Sequence, residues 1–390
     1  MIATAPTRGT VRNLLVGFVA FALAGCAGIV PKSEPAPLPP PEAGSPTGPS
    51  ANVLPDADEQ RHRVALLVPL SGQNAAVGQS LANATTMALL DTNTSNIRIT
   101  SYDTATGPEE AARRAVADGN ALILGPLLGD NVASVEVVTD RANVPVISFS
   151  NNTQVADENV FVIGQVPAQS IARTMSYAAG KGVKSFAALV PAGEYGKRAT
   201  DAIMQAGRDT DTRVVAIETY DRTSATMNAA INRLAARGDF DALMIADSAR
   251  QAVRVAPLVR EKIRSPRLLG TELWSGEAEI AQSSALRGAW FSAISDGRFK
   301  RFSDSYRDRF GSAPYRISTL GYDAVLLAIN ISRDWKPGTR FPANRLDDDG
   351  GFLGLDGAFR FDDGVIERMF EVREVTASGV QVVDPAPAKF

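Results

Sequence analysis

The chain has 390 residues, more than one small core needs, and that length suits two lobes with extra segments. Forty basic residues stand against forty-three acidic ones, a balance that marks no nucleic-acid surface. With one cysteine and one histidine, the sequence excludes a disulfide within the chain and a zinc site built from several Cys and His of that chain.

The first segment is a targeting signal. Arg8 and Arg12 precede an apolar run, Leu14 to Ala24, and then come Leu23-Ala24-Gly25-Cys26. A basic start, a short apolar stretch and small residues at the cut describe a secretory signal, residues 1–25, and not a membrane span. The cysteine directly after Leu-Ala-Gly resembles the bacterial lipoprotein signal. That resemblance implies cleavage before Cys26 and acylation of its sulfur and its new amine. Buried acyl chains contribute ~0.8 kcal/mol per CH₂, so several together anchor firmly. Ala27 after the cysteine, where Asp would retain the protein, implies the outer membrane.

Residues 26–60 follow, rich in Pro, Ser and Gly between Pro31 and Pro55. No apolar period survives there, so this stretch is predicted to be a semi-extended tether. His62, just beyond it, is expected at the surface.

Alternating strands and helices then begin. Val64 to Val68 read as a buried strand, Pro69, Ser71 and Gly72 as a turn, and Val77, Leu81, Ala84, Ala88 and Leu89 as one helical face. Further strands are predicted at Ile97–Tyr102, Ala121–Leu124, Val144–Phe149 and Val160–Ile163. Helices start at Pro108, with Glu109 and Glu110 in the first turn, and near Asp130 or Asn131. The alternation restarts at Pro167. Its strands are Ser185–Val190, Val214–Thr219, Ala242–Ala246, Arg267–Leu269 and Gly288–Ile294, with Pro257 expected to kink or end a helix. Phe299, Phe302, Tyr306 and Phe310 line one helical face as core packing. Ala358–Phe361 and Met369–Val375 read as two strands joined around Asp362-Asp363-Gly364, and residues after Pro385 as frayed. The fold class is therefore α/β, with two doubly wound parallel-sheet lobes over residues 61–375. Lobe 1 is predicted to take about 61–165 and 295–345, lobe 2 about 166–294 and 346–375, leaving 376–390 as a tail.

Catalytic signatures are mostly absent. One histidine rules out HExxH and would make a Ser-His-Asp triad depend on His62. No Ser-x-x-Lys occurs, and Gly193-Glu194-Tyr195-Gly196-Lys197-Arg198 has the wrong spacing for a phosphate loop. The chain reads as a binding protein, not an enzyme, with no metal and no cofactor. In doubly wound sheets, ligands sit at the carboxyl ends of strands. Candidate contacts at those ends are Ser71, Asn131, Ser150 and Asn152 in lobe 1, which could hold a carboxylate. Lobe 2 supplies Tyr195, Asp247 and Glu272, which could hold an ammonium. Helix capping explains many of the same residues without a ligand.

ALLVPLSGQNAAVGQS, ILGPLLGDNVASV, VPVISFSNN, EYGKR, GTE and LDGAFRFDDG occur in the order seen in Leu/Ile/Val-binding periplasmic proteins, which the chain resembles over residues 62 to about 375. The resemblance implies the type I periplasmic-binding fold, two lobes joined by three crossings. It implies that Tyr195 and Glu272, in the EYG-like and GTE-like motifs, contact an amino-acid ligand. Where that family holds the ligand carboxylate with a serine after its GPL-like turn, this chain has Gly129. Val77 replaces a bulky aromatic, and Ser148-Phe149-Ser150-Asn151-Asn152 replaces a Ser-Pro-Gly-Ala-Thr pattern.

A lipidated, tethered member with such a pocket also resembles the penicillin-binding protein activator lipoproteins. That likeness implies a non-enzymatic envelope protein whose partner is a penicillin-binding protein or other peptidoglycan synthase. The alternative is the amino-acid-binding component of an ABC transporter, whose partners are a permease and a small amino-acid ligand.

Overall fold

The structure is a computed structural model that describes residues 60–387. Cys26, the signal segment and all but the last residue of the tether lie outside the described residues. The first run comprises β1 (His62–Val68), α1 (Ala75–Asp91), β2 (Ile97–Asp103), α2 (Pro108–Ala117), β3 (Leu122–Leu124), α3 (Val132–Ala142), β4 (Val146–Ser148) and β5 (Val160–Val162). A second run follows with α4 (Pro167–Gly180), β6 (Ser185–Pro191), α5 (Glu194–Asp209), β7 (Arg213–Tyr220), α6 (Ser224–Ala236) and β8 (Ala242–Ile245). It continues through α7 (Ala249–Lys262), β9 (Arg267–Gly270), α8 (Ala278–Gln282) and β10 (Trp290–Ala293). Then come α9 (Asp296–Phe310), α10 (Ser318–Ser332), β11 (Phe352–Gly354), β12 (Gly357–Asp362), β13 (Val365–Arg368), β14 (Glu371–Thr376) and β15 (Gly379–Asp384).

Two sheets organise these elements. The first has the order β11-β12-β13-β5-β4-β3-β1-β2, the second β15-β14-β10-β9-β8-β6-β7. Strands β1 to β5 are mutually parallel, as are β6 to β10, because successive strands are joined by crossover connections, helical except between β4 and β5, where only a short 3-10 turn intervenes. The central strands are apolar along their whole length: Val64 to Val68 are fully buried, which a strand covered on both faces requires. In each sheet the first strand pairs with the next two, β1 with β2 and β3, and β6 with β7 and β8. Those are the points where strand order reverses and where a crevice opens at the carboxyl ends.

The chain passes between the sheets three times, at residues 163–166, 294–295 and 369–370. The last passage corrects the expected lobe boundaries. Residues 346–375 do not all belong to lobe 2, because Val365 pairs with Val162 of β5 and extends the first sheet. Phe359, Phe361 and Ile366 accordingly join the first core. The turn at Asp363-Gly364, with φ of 49° and 72°, joins β12 to β13 and not to the expected strand over 369–375, whose residues form β14 of the second sheet. Two successive positive φ values are what a two-residue hairpin turn needs. The expected tail forms β15, paired antiparallel with β14, and α7 runs through Pro257 to Lys262.

Two glycines set how closely helix and strand end approach. A Cβ on Gly78 of α1 would lie 1.8 Å from the Pro69 carbonyl oxygen, and one on Gly196 of α5 would lie 1.7 Å from that of Pro191. The two lobes repeat the same contact at the same point of the strand-to-helix turn. On α9 the aromatic stripe is packing, with Phe302 and Tyr306 buried against Ala84 and Met87 of α1.

His62 is not at the surface. Its ring is 4% exposed and stacks on Trp335 at 3.9 Å and 18°. Burial lowers its pKa from the usual value, opposed by a hydrogen bond with the Trp335 backbone. An unfolded histidine takes a proton near pH 6.5. The folded one takes it less readily, so the stability it contributes is present above pH 6.5 and is lost as pH falls. His62→Phe keeps an aromatic stack and removes the titration. Urea unfolding from pH 8 to 5 should show the wild type losing stability relative to this variant below about pH 6.5. Parallel curves would refute the assignment.

Candidate functional site

The carboxyl ends of both sheets meet around a cavity of about 560 Å³. Its lobe 1 wall mixes apolar and polar groups: Val77, Leu127, Leu128 and Phe149 with Asn74 and Asn151 after β1, β3 and β4, and Tyr315, Arg316 and Ile317 just before α10. Its lobe 2 wall follows β6, β8 and β9 and is mostly polar, with Tyr195, Ser248, Glu272, Ser275 and Glu277. A larger cavity of about 830 Å³ lies beside it, sharing Asn151, but is lined by exposed side chains of α5 such as Lys197 and Gln205. The convergent buried groups belong to the smaller one.

Glu272 is the centre of the lobe 2 wall. It opens a short 3-10 turn, Glu272–Trp274, directly after β9, and is 7% exposed. The Tyr195 hydroxyl donates to its Oε1 at 3.1 Å and lies 3.1 Å from the Thr271 hydroxyl. Ser170, in the first turn of α4, donates to Oε2 and accepts the Glu272 backbone N–H at 3.3 Å. Burial pushes the Glu272 carboxyl above its ordinary range, while these donors pull the other way. Burial and then the Glu272 charge push the Tyr195 phenol well up as well. The two residues singled out from the EYG-like and GTE-like motifs thus touch each other.

Asp247 is placed differently. It is fully buried and does not line the cavity. Its carboxylate accepts from Tyr220 at 2.7 Å, from Arg222 Nε and Nη2 at 2.9–3.1 Å, and from the Ser248 N–H at 2.7 Å. A carboxylate has about four acceptor sites, so this one is saturated. Its backbone oxygen also holds the Trp274 indole at 3.1 Å, which steadies the turn carrying Glu272.

On the lobe 1 side, Ser71 is exposed and its hydroxyl bonds Asp103, while Asn131 precedes α3 without a side-chain cap; neither lines the cavity. Ser150 is buried and its Oγ accepts the Asn152 N–H at 3.0 Å. Asn152 in turn accepts the Gln154 N–H at 3.2 Å and lines the larger cavity. These two side chains occupy the space beside Gly129: a Cβ there would meet Ser150 Oγ at 2.9 Å and Asn152 Cβ at 3.3 Å. Asn151, between them, accepts from Arg198 of α5 at 2.7 Å and so bridges the lobes.

Ser170, Glu277 and Arg316 were not marked by sequence patterns. Ser170 is 102 residues from its partner Glu272, and the first turn of α4 carries no motif around it. Arg316 lines the cavity but is committed to Asp356 at 3.0 Å and to Thr319 at 2.9 Å. Among the described residues, no group of three or more His, Cys, Asp or Glu could hold a metal ion.

Residues 62–340 match the periplasmic binding protein family. A candidate branched-chain amino acid ABC transporter protein from Rhodospirillum rubrum superposes with a TM-score of 0.72 at 18% identity, covering 83% of this chain and all of that one. Full-length LpoA from Haemophilus influenzae superposes with a TM-score of 0.64 at 18% identity, covering 83% of this chain and 59% of that one. An uncharacterized protein of Rickettsia prowazekii is 23% identical over 334 residues, 81% of this chain and 86% of that protein.

Proposed function

The chain belongs to the periplasmic binding protein family and has its type I two-lobed fold, and on that premise we propose that it is a non-enzymatic cell-envelope lipoprotein that regulates peptidoglycan synthesis by docking on a penicillin-binding protein. One observation carries this reading. In lobe 1 the space beside Gly129 is filled by the protein's own side chains, where the amino-acid-binding relatives are expected to hold a carboxylate with a serine. A serine there would need Ser150 and Asn152 to move. The fold shared with LpoA supports the same reading. So does the Leu-Ala-Gly-Cys anchor at Cys26 with a tether of about twenty-five residues, which in extended form spans ~75 Å at ~3.1 Å per residue.

The second reading, an amino-acid-binding component of an ABC transporter, is favoured by the contact between Tyr195 and Glu272. Crosslinking in living cells separates the two. The regulator should capture a penicillin-binding protein, and Cys26→Ala, which removes the anchor, should reduce that capture. Recovery of a permease complex, with the synthase absent, would overturn the proposal.

A further inference from the structure

A separate cavity, of about 460 Å³, lies behind the turn that carries Glu272. Residues 272–277 form the partition. Glu272, Leu273 and Ser275 line the cavity at the strand ends, Trp274 and Gly276 line this one, and Glu277 borders both. The floor is aromatic and belongs to lobe 2. Trp274 and Phe291 are each 1% exposed with ring centres 5.7 Å apart, and Val380 of β15 adds an aliphatic side chain. Lobe 1 supplies the facing wall from α9, beginning with half-buried Phe299. That ring is braced from two directions: the Arg316 guanidinium carbon stands 4.4 Å from its centre, and a Cβ on Gly276 would lie 3.5 Å from it.

The charges at this cavity are unevenly placed. Arg373 is 4% exposed, and its Nε and Nη2 hold Glu371 and the Ile294 carbonyl at 2.7 Å. Glu277 stands on the lobe 2 lip, where burial and then the Glu279 charge push its carboxyl up and Arg250 of α7 pulls it down. The α9 lip carries Lys300, Asp304 and Arg307, whose spacing of four and three puts them on one helical face. Asp304 and Arg307 face each other at 3.6 Å. Lys300 is exposed and has no hydrogen bond or ion pair to any described residue. An apolar floor thus opens under a lip whose cation lacks a counter-ion.

We infer that this cavity is a ligand site for an amphiphilic anion, its apolar body against Trp274, Phe291 and Phe299 and its anionic head beside Lys300. Small-molecule sites are commonly pockets of roughly 300–1,000 Å³ with a mostly apolar lining and a few placed polar groups. A carboxylate or sulfonate at the α9 lip gives Lys300 its missing partner, whereas an ammonium there meets like charge. The site shares no ligand contact with Tyr195 or Glu272, and it is independent of the macromolecular partner proposed above.

Calorimetry on the full-length protein in detergent, with heats of dilution into detergent alone subtracted, tests it. The probes are 3-phenylpropanoate, 3-phenylpropan-1-ol and 3-phenylpropylamine, which share one body and differ in charge. The acid should bind at millimolar concentration or below, at least about threefold tighter than the alcohol, with the amine weakest. Lys300→Glu, at an exposed position, should weaken the acid at least about threefold and leave the alcohol unchanged, an effect of the size that exposed ion pairs show. Ala278→Trp, also exposed, places an indole at the mouth and should weaken the acid at least about tenfold, with a thermal melt close to wild type as the folding check. Leu128→Trp obstructs the cavity at the strand ends instead. No binding of the acid at millimolar concentration, an amine as tight as the acid, equal acid affinity in Lys300→Glu, or a loss with Leu128→Trp in place of Ala278→Trp would overturn the inference.

Discussion

Arg368→Met is expected to cost about 3–5 kcal/mol of folding stability, because it leaves a buried aspartate without its cation. Arg368 ends β13, and its Nη1 stands 3.2 Å from Asp323 Oδ2 of α10, with side-chain exposures of 1% and 0%. Asp323 also accepts the Leu355 N–H at 2.5 Å, and a Cβ on Gly354 would come within 2.5 Å of it, so water has no room to replace the guanidinium. Burial pushes the Asp323 carboxyl up to about 6 even though Arg368 pulls it down. Without Arg368 the pull is gone. A carboxyl whose folded pKa stands above its unfolded one stabilises at low pH and loses that contribution as pH rises. The deficit of Arg368→Met relative to wild type should therefore shrink on acidification towards pH 4, near the unfolded aspartate value of about 3.9. Adding Asp323→Asn should return part of the loss, since both charges are then removed together. Urea unfolding of the two single variants and the double one measures all of this. A deficit below about 1 kcal/mol, the range of surface pairs, would refute the assignment. The pair sits one residue before the third passage between the lobes, and Arg316–Asp356 lies beside it, so the same charges that stabilise the fold also brace the hinge side of the cavity.

Gly78→Ala and Gly196→Ala should each destabilise by roughly 2–3 kcal/mol or more, for a reason of contact geometry. The added methyl would lie 1.8 Å from the Pro69 oxygen in one case and 1.7 Å from the Pro191 oxygen in the other. Both obstacles are backbone atoms, so no rotamer change relieves them, and the helix must lift from the strand end. Overpacking of this kind costs about 1–3 kcal/mol and at times more. Alanine's helix propensity returns up to ~1 kcal/mol, which is too little to win. Gly180→Ala is the control: it ends α4, and nothing lies within 4 Å of the added methyl. Thermal or urea unfolding of the three variants compares them directly. If Gly78→Ala or Gly196→Ala matched Gly180→Ala, the close approach would be wrong. Lifting α1 or α5 would also displace Val77 or Tyr195 from the cavity wall, so binding should weaken together with stability.

Much of the architecture was legible in the sequence because it is encoded locally. Val64 to Val68 are too apolar for anything but a strand covered on both faces, and they are buried. Pro108 with Glu109 and Glu110 marked the start of α2, and Pro167 that of α4, where the missing N–H costs nothing. The alternation of such segments led to two parallel sheets, and the ordered motifs led to the family. Tyr195 and Glu272 could be named because each sits at a strand end, where a doubly wound sheet opens its crevice.

Other features depended on which distant groups meet. Residues 346–368 were expected in the second lobe because their pattern suits either sheet; only the pairing of β13 with β5, about two hundred residues earlier, assigns them to the first. His62 looked like a surface residue beside a tether, and Trp335 covers it from the far end of the chain. Asp247 and Glu272 both follow strands and both are acidic, so no local pattern distinguishes them. Arg222 saturates the first, while the second has only hydroxyls and a backbone N–H around it. Residue periodicity determined which faces are buried, since burying an apolar face is a local demand of each segment. Whether a buried charge already has its counter-ion was decided by tertiary structure alone, because the loops that bring such partners together leave no trace in the spacing of either residue.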